Sequence, residues 1–390
     1  MGSISPLEPL FQPLRLGAVT LQHRVVQAPC TRMRSTKESD GVFVPNDLNV
    51  EYYSQRASPG GLMLTEATPI SRYAAGYPGV PGIFTASQIA GWKRVTDAVH
   101  AKGGFIFCQL WHVGRATVPS FLEGRSPVSA SDIPISGSAL DGSEYAAAPP
   151  RPLTVEEIQE TVQEYAAAAK RAIEAGFDGV ELHGANGYLL DQFLHDNVNT
   201  RSDEYGGSIE KRARIVLETI KATTAAIGAD RVGIRLSPYN YFQDTRDSDP
   251  QAHWRTLCEL IAGLSAAERP SYVHMIEPRF DEVLDEHAKM SSLGQETVST
   301  AKPSLEPFRP VLKNGGIAFL TAGNFNAENA GPKLVADGAD AIVFGRLFIA
   351  NPDLPRRLQE NLPLNAYDRS TFYGADPPQK GYTDYTFHGK

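Results

Sequence analysis

Three side chains able to donate or move a proton stand in one short run, His183-Gly184-Ala185-Asn186-Gly187-Tyr188. The run continues Gly179-Val180-Glu181-Leu182, which reads as a strand, so all three emerge where a strand ends. A histidine and an asparagine that converge on one carbonyl oxygen would stabilise the negative charge developing as hydride adds to a conjugated carbon. Tyr188, with an ordinary pKa of about 10, is a suitable weak acid for protonating the neighbouring carbon. The competing structural account makes His183 a satisfied core histidine, Asn186 a turn residue between glycines, and Tyr188 a ring packed under the next helix. Zinc is disfavoured, because there is no HExxH and no second histidine at ligand spacing.

A second group of residues suits phosphate. Gly323-Asn324 and Gly345-Arg346 each follow a short apolar run, offering backbone N–H groups and one guanidinium at strand ends. Each glycine alone is weak, since glycine often just ends a strand; Arg346 strengthens the pair.

The elements that must position these groups alternate along the chain. Short apolar runs at Val25–Ala28, Gly61–Ala67, Phe105–Trp111, Gly179–His183, Val232–Ser237, Tyr272–Glu277, Phe319–Gly323 and Ala341–Gly345 read as strands. Between them Ser87–Ala101, Val155–Ala175, Ser208–Ile227, Ala252–Leu264 and Ala327–Ala336 carry helical periodicity, with Thr154 and Ser208 as plausible starts. Eight βα units predict a (β/α)₈ barrel, with residues 1–390 as a single domain, and strand ends are where such barrels carry catalytic groups. An open doubly wound sheet would show the same alternation, but no GxGxxG follows the first strand. Leu14–Val26, with Gly17 between two apolar runs, predicts a hairpin closing the barrel bottom. Residues 112–151, rich in Pro, Gly and Ser, predict a loop excursion over the mouth.

Bulk properties exclude more than they assign. With 42% hydrophobic and 21% charged residues the chain can bury a large core, and its net charge of −8 lies in no long block of one sign, which disfavours nucleic acid as a partner. Three cysteines without a CxxC pair argue against a disulfide framework and for a reducing, cytoplasmic setting. No run is long and apolar enough to predict a membrane span, and MGSISPLEPL lacks the pattern of a secretory signal.

Beyond these physical readings, six ordered blocks carry a resemblance. They are Ala28-Pro29-Cys30-Thr31-Arg32, Gln109-Leu110-Trp111-His112-Val113-Gly114-Arg115, His183 to Leu194 continued by Asn199 to Ser208, Gly233 to Pro238, Ala322-Gly323-Asn324 with Gly345-Arg346, and Asn351-Pro352-Asp353-Leu354. The chain resembles the Old Yellow Enzyme family over nearly its whole length. The resemblance implies bound FMN across the barrel mouth, with NADPH, or NADH, as reductant. It implies Pro29, Cys30 and Thr31 beneath the isoalloxazine, Thr31 bonding its carbonyl edge, Ala67 allowing close approach, Gln109 on the pyrimidine edge and Arg235 beside N1. A cation there would favour the anionic reduced flavin. Cys30 departs from the Leu common in the family and is expected to be an apolar filler. Gly323, Asn324, Gly345 and Arg346 would take the phosphate; Trp111, Tyr77, Phe242 and Tyr373 would line the substrate pocket.

The implied activity is an FMN-dependent ene-reductase acting on a small-molecule activated alkene, as a monomer or homodimer. A flavin-dependent isomerase or cyclase is the first alternative, which the presence of Tyr188 argues against. A flavin-free phosphate-binding lyase or isomerase would want a strand-end lysine, and none is found. A purely binding barrel would hold no flavin.

Overall fold

The computed structural model describes residues 6–281, 284, 286–296 (backbone alone at 294–296) and 303–389. Eight parallel strands form the barrel: β1 Val25–Gln27, β2 Leu62–Leu64, β3 Phe105–Trp111, β4 Gly179–Gly184, β5 Val232–Leu236, β6 Tyr272–Ile276, β7 Ala318–Ala322 and β8 Ala341–Phe344. Each pairs with the next, and β8 pairs with β1, closing the sheet. Each expected run contains its strand or lies within one or two residues of it.

Residue alternation makes two cores. Inside the barrel, Val26, Leu62, Leu64, Phe107, Tyr272, Leu320 and Val343 pack against Leu16, Val19 and Leu21. Those last three come from an antiparallel hairpin, Leu14–Leu16 with Val19–Leu21, that plugs the bottom. The hairpin therefore ends before Val25, which belongs to β1; Gly17 turns it at a φ of +54°, where an added Cβ would lie 1.9 Å from the Asp230 carbonyl oxygen. Outside the barrel a larger core joins strands to helices through Trp92, Tyr165, Phe177, Trp254 and Phe319.

The helices follow their sequence signals, with additions. α1, Asp47–Arg56, was not foreshadowed by periodicity, because it is mostly polar; it is fixed by Asn46, whose side chain accepts from the Leu48 and Asn49 amides. α2 is Ala86–His100 and α3 Val155–Glu174, each opened by a threonine capping box. The expected helix Ser208–Ile227 is two pieces, Ile209–Arg212 and α5 Arg214–Ile227, meeting at Ala213; between β4 and them lies α4, Leu189–Leu194. α6 is Pro250–Ala262. Among the described residues no helix is long and apolar enough to cross a membrane.

The segment 112–151 runs over the mouth and is anchored there: Val128–Ser129 pairs with Arg151–Pro152, and the Arg115 guanidinium donates to the carbonyls of Ile133 and, across the mouth, Gln243.

Candidate active site

At the top of β4 the chain turns sharply. Asn186 adopts a φ of +58° and Gly187 a φ of +74°, left-handed values that asparagine and glycine tolerate best. The turn is held from the β5 side: the Asn186 amide donates to Ser237 Oγ at 2.8 Å, and Asn240 Nδ2 donates to Asn186 Oδ1 at 2.9 Å. With its oxygen occupied, the Asn186 side chain keeps its NH₂ group for a ligand. A Cβ on Gly187 would come within 2.8 Å of the Phe242 carbonyl oxygen, so only glycine lets the β5 loop close this far.

His183 is buried, and its Nδ1 has no hydrogen-bond partner among the described residues. Burial, then Arg235, then His274 push it well below the usual histidine range, so the ring is neutral at physiological pH. Arg235 stands directly opposite it in the β4–β5 register.

Tyr188 begins α4, and its ring is boxed by aromatic neighbours. Trp111 lies edge-on at 5.1 Å, His183 at 5.0 Å and Tyr77 at 6.4 Å. Tyr77 is pushed well above the usual phenol range by burial, then by the charge and hydrogen bond of Tyr188, so it remains a donor. Ala67, Val80, Val113 and Ile135 complete this wall. The other two pocket residues lie at the rim: Phe242 is 37% exposed and Tyr373 67% exposed, the latter within electrostatic reach of Tyr77.

The residues expected to hold FMN line the neighbouring part of the mouth. Pro29 is buried, Cys30 and Thr31 half-buried. A Cβ on Gly345 would sit 3.6 Å from Cys30 Sγ, so the β1 and β8 ends touch here. Burial raises the Cys30 thiol above its usual range, against Arg32, Arg235 and Arg346, keeping it protonated. Gln109 is fully buried, and its amide nitrogen donates to Glu181 while its Oε1 has no partner among the described residues. An orphaned buried acceptor is costly unless something donates to it, and the imide N–H of an isoalloxazine is such a donor. Together with the Arg235 cation and the apolar floor at Pro29 and Cys30, these residues fit FMN.

The phosphate corner is built differently. Gly323 and Asn324 turn at φ of +123° and +51°. The Arg346 guanidinium donates to the Asp281 carbonyl at 2.7 Å and lies over Phe280. Arg279, which the sequence reading missed, donates to the Gly323 carbonyl at 3.1 Å, adding a second cation beside the turn. Also missed were Ser237 and Asn240: nothing in their types marks them until β5 is placed beside β4.

Known proteins share this architecture and sequence. Residues 9–365 match the profile of the NADH:flavin oxidoreductase / NADH oxidase family. The chain is 74% identical to flavin oxidoreductase hxnT of Emericella nidulans over 99% of its own length and 100% of that protein's. It is 47% identical to 12-oxophytodienoate reductase 1 of Oryza sativa subsp. japonica, covering 97% and 93% of the two chains. A solved structure of morphinone reductase superposes with a TM-score of 0.84 at 40% identity, covering 98% of each chain. An Old Yellow Enzyme homologue from Zymomonas mobilis gives 0.85 at 38% identity, covering 97% and 99%. With a closed barrel, a mouth fitted for a flavin and this degree of likeness, the chain belongs to the NADH:flavin oxidoreductase family of Old Yellow Enzymes, and it is an FMN-dependent, NAD(P)H-linked oxidoreductase.

Proposed function

We propose that the chain reduces the carbon–carbon double bond of an α,β-unsaturated carbonyl or nitro compound, with NADPH as the reductant. One observation carries the reading: a neutral histidine with a ring nitrogen that has no partner among the described residues, an amide whose oxygen is already engaged, and a phenol stand together where β4 ends and turns. When bound, FMN supplies the hydride, having taken it from the nicotinamide.

The chain's own residues do the rest. His183 and the Asn186 NH₂ hold the substrate oxygen and stabilise the charge it gains when the β-carbon accepts hydride. Because His183 is neutral, it serves as a hydrogen-bond donor without bringing a titrating charge to the site. Tyr188 gives its proton to the α-carbon and regains one from water. Trp111, Tyr77 and Ala67 wall the pocket, limiting how a planar alkene can lie. Pro29, Cys30, Thr31, Ala67, Gln109 and Arg235 hold the ring, and Gly323, Asn324, Gly345 and Arg346 the phosphate.

The test is an anaerobic visible spectrum of the holoenzyme, followed through NADPH and then a simple cyclic enone. Bleaching and full recovery are expected, with recovery slowed roughly 10²–10⁴-fold in Tyr188→Phe and bleaching unchanged. A Tyr188→Phe protein whose flavin no longer bleaches with NADPH would overturn the proton-donor role.

A further inference from the structure

Among the described residues, the largely apolar interior of the barrel carries one buried carboxylate below the mouth. Glu181, on β4 two residues before His183, is fully buried. Its Oε1 accepts from Gln109 Nε2 at 2.8 Å, and its Oε2 accepts from Tyr272 Oη at 3.2 Å and His274 Nδ1 at 3.0 Å. The three donors come from β3 and β6, on either side of β4 and β5. The arrangement depends on Gly233 of β5, where a Cβ would fall 2.1 Å from the Tyr272 ring; any other residue would push the phenol off the carboxylate.

A carboxylate here is expensive. A buried charge costs several kcal/mol even when well bonded, and an apolar side chain of the same volume would serve a barrel core as well or better. Nor does a cation neutralise it within its own hydrogen-bond set. Burial holds His274 below the usual histidine range despite the pull of Glu181, with Arg235 adding to the lowering, so His274 donates as a neutral ring. None of the three donors thus brings a positive charge against the carboxylate. One layer above, about 7 Å along the strand, are His183 and, opposite it, Arg235.

Two consequences meet at Gln109. Glu181 takes one N–H of its amide, which fixes the amide plane and leaves Oε1 buried with no partner among the described residues. The fixed charge also opposes the extra negative charge that reduction places on a flavin, tempering Arg235, which favours it. We propose that Glu181 is a positioning residue for FMN: it orients Gln109 toward the ring and, by its charge, sets the flavin's midpoint potential lower than Arg235 alone would. The proposal rests on Gln109 contacting the flavin.

Two holoenzyme variants separate the two parts. Glu181→Gln keeps the size and removes the charge; its midpoint potential, measured by spectroelectrochemistry, is expected to move positive. Glu181→Asp keeps the charge but withdraws it from Gln109. Its potential is expected to stay near the parent's while its FMN dissociation constant, from fluorescence titration, rises about tenfold, the loss of roughly one hydrogen bond. An unchanged potential in a folded Glu181→Gln protein overturns the electrostatic part, and parental FMN affinity in Glu181→Asp overturns the positioning part. If Glu181→Gln does not fold, the Asp variant still decides the positioning part, and its potential, if shifted clearly positive with the charge retained, overturns the electrostatic one. Gln109→Leu distinguishes the underlying reading: parental FMN affinity and spectrum there would remove Gln109 from the flavin site, whereas a loss there with no change at Glu181 sinks only this proposal.

Discussion

The two sides of the barrel mouth are built on opposite plans. On the side of β4 and β5, the turn carrying Asn186 and Tyr188 is tied down by buried charge. Asp191 accepts from the Gly187 amide at 2.8 Å, and His195 lies 3.2 Å from Asp191 and 3.0 Å from Asp247, all buried. The next residues continue the seam, Asp196 to the Ser248 amide and Asn197 to the Asp244 carbonyl and the Arg246 amide. On the side of β7 and β8, one left-handed turn, at Gly323 and Asn324, stands beside two arginines that donate to backbone carbonyls. Carbonyls are neutral partners, and a phosphate dianion would be a stronger one for each guanidinium. The contrast teaches a division of labour. On the function proposed above, the side that would hold a substrate atom to a fraction of an ångström is fixed in advance, while the side that would hold an anion has cations for which that anion would be the strongest partner.

The hardest way to break this contrast is His195→Leu. Removing the cation leaves Asp191 and Asp247 buried and facing each other, which costs on the order of 3–5 kcal/mol. A denaturant titration should show the loss. If the midpoint does not move, the seam is not held by charge.

The same contribution can be titrated away in the parent protein. Burial alone would lower His195, but Asp247 and then Asp191 push it up to about 10. A group whose folded pKa exceeds its free value of about 6.5 stabilises fully below that value and loses its contribution as pH rises through the folded one. The stability gap between parent and His195→Leu should therefore close as pH passes about 10. Asp247 is held below the usual carboxylate range, against burial, by His195, His253 and Arg212, so its share is instead lost on strong acidification.

How far the sequence alone could see follows the same divide. Strands β1 to β8 were legible from apolar runs because both faces of a barrel strand are buried, inner and outer cores alike. His183, Asn186 and Tyr188 were legible as candidates because one strand end carries all three, and Arg346 because a cation after a strand-end glycine is itself a signal; the roles given to them came with the family resemblance. What could not be read were groups acting across the fold. Asn240, Asp247 and two of the donors to Glu181, Tyr272 and His274, lie far from their partners along the chain, and their residue types announce nothing locally. The break at Ala213 and the polar helix α1 escaped for a related reason: caps and tertiary contacts, not periodicity, set them.

The anion side should break more gently. Arg346→Met should leave the fold intact, since among the described residues the wild-type guanidinium bonds one carbonyl and lies over Phe280, a contact Met can keep, while FMN affinity falls roughly ten- to hundredfold. Free phosphate should compete with FMN for the parent and lose that effect in the variant. A variant that unfolds would show this arginine to be structural after all.

The smallest change is the most diagnostic of the fixed side. Asn240→Ala removes the donor to Asn186 Oδ1 and leaves the Asn186 backbone to its amide bond with Ser237. One such bond is worth about 0.5–1.5 kcal/mol, so affinity for a phenolic ligand and for the nicotinamide should fall together, by roughly two- to tenfold. The proposed Tyr188 proton transfer should keep its solvent isotope effect, because Trp111 and His183 box the Tyr188 ring edge-on. A parental binding constant would mean that the left-handed turn alone aims the amide, and that the β5 loop is a wall of the site and not part of its aim.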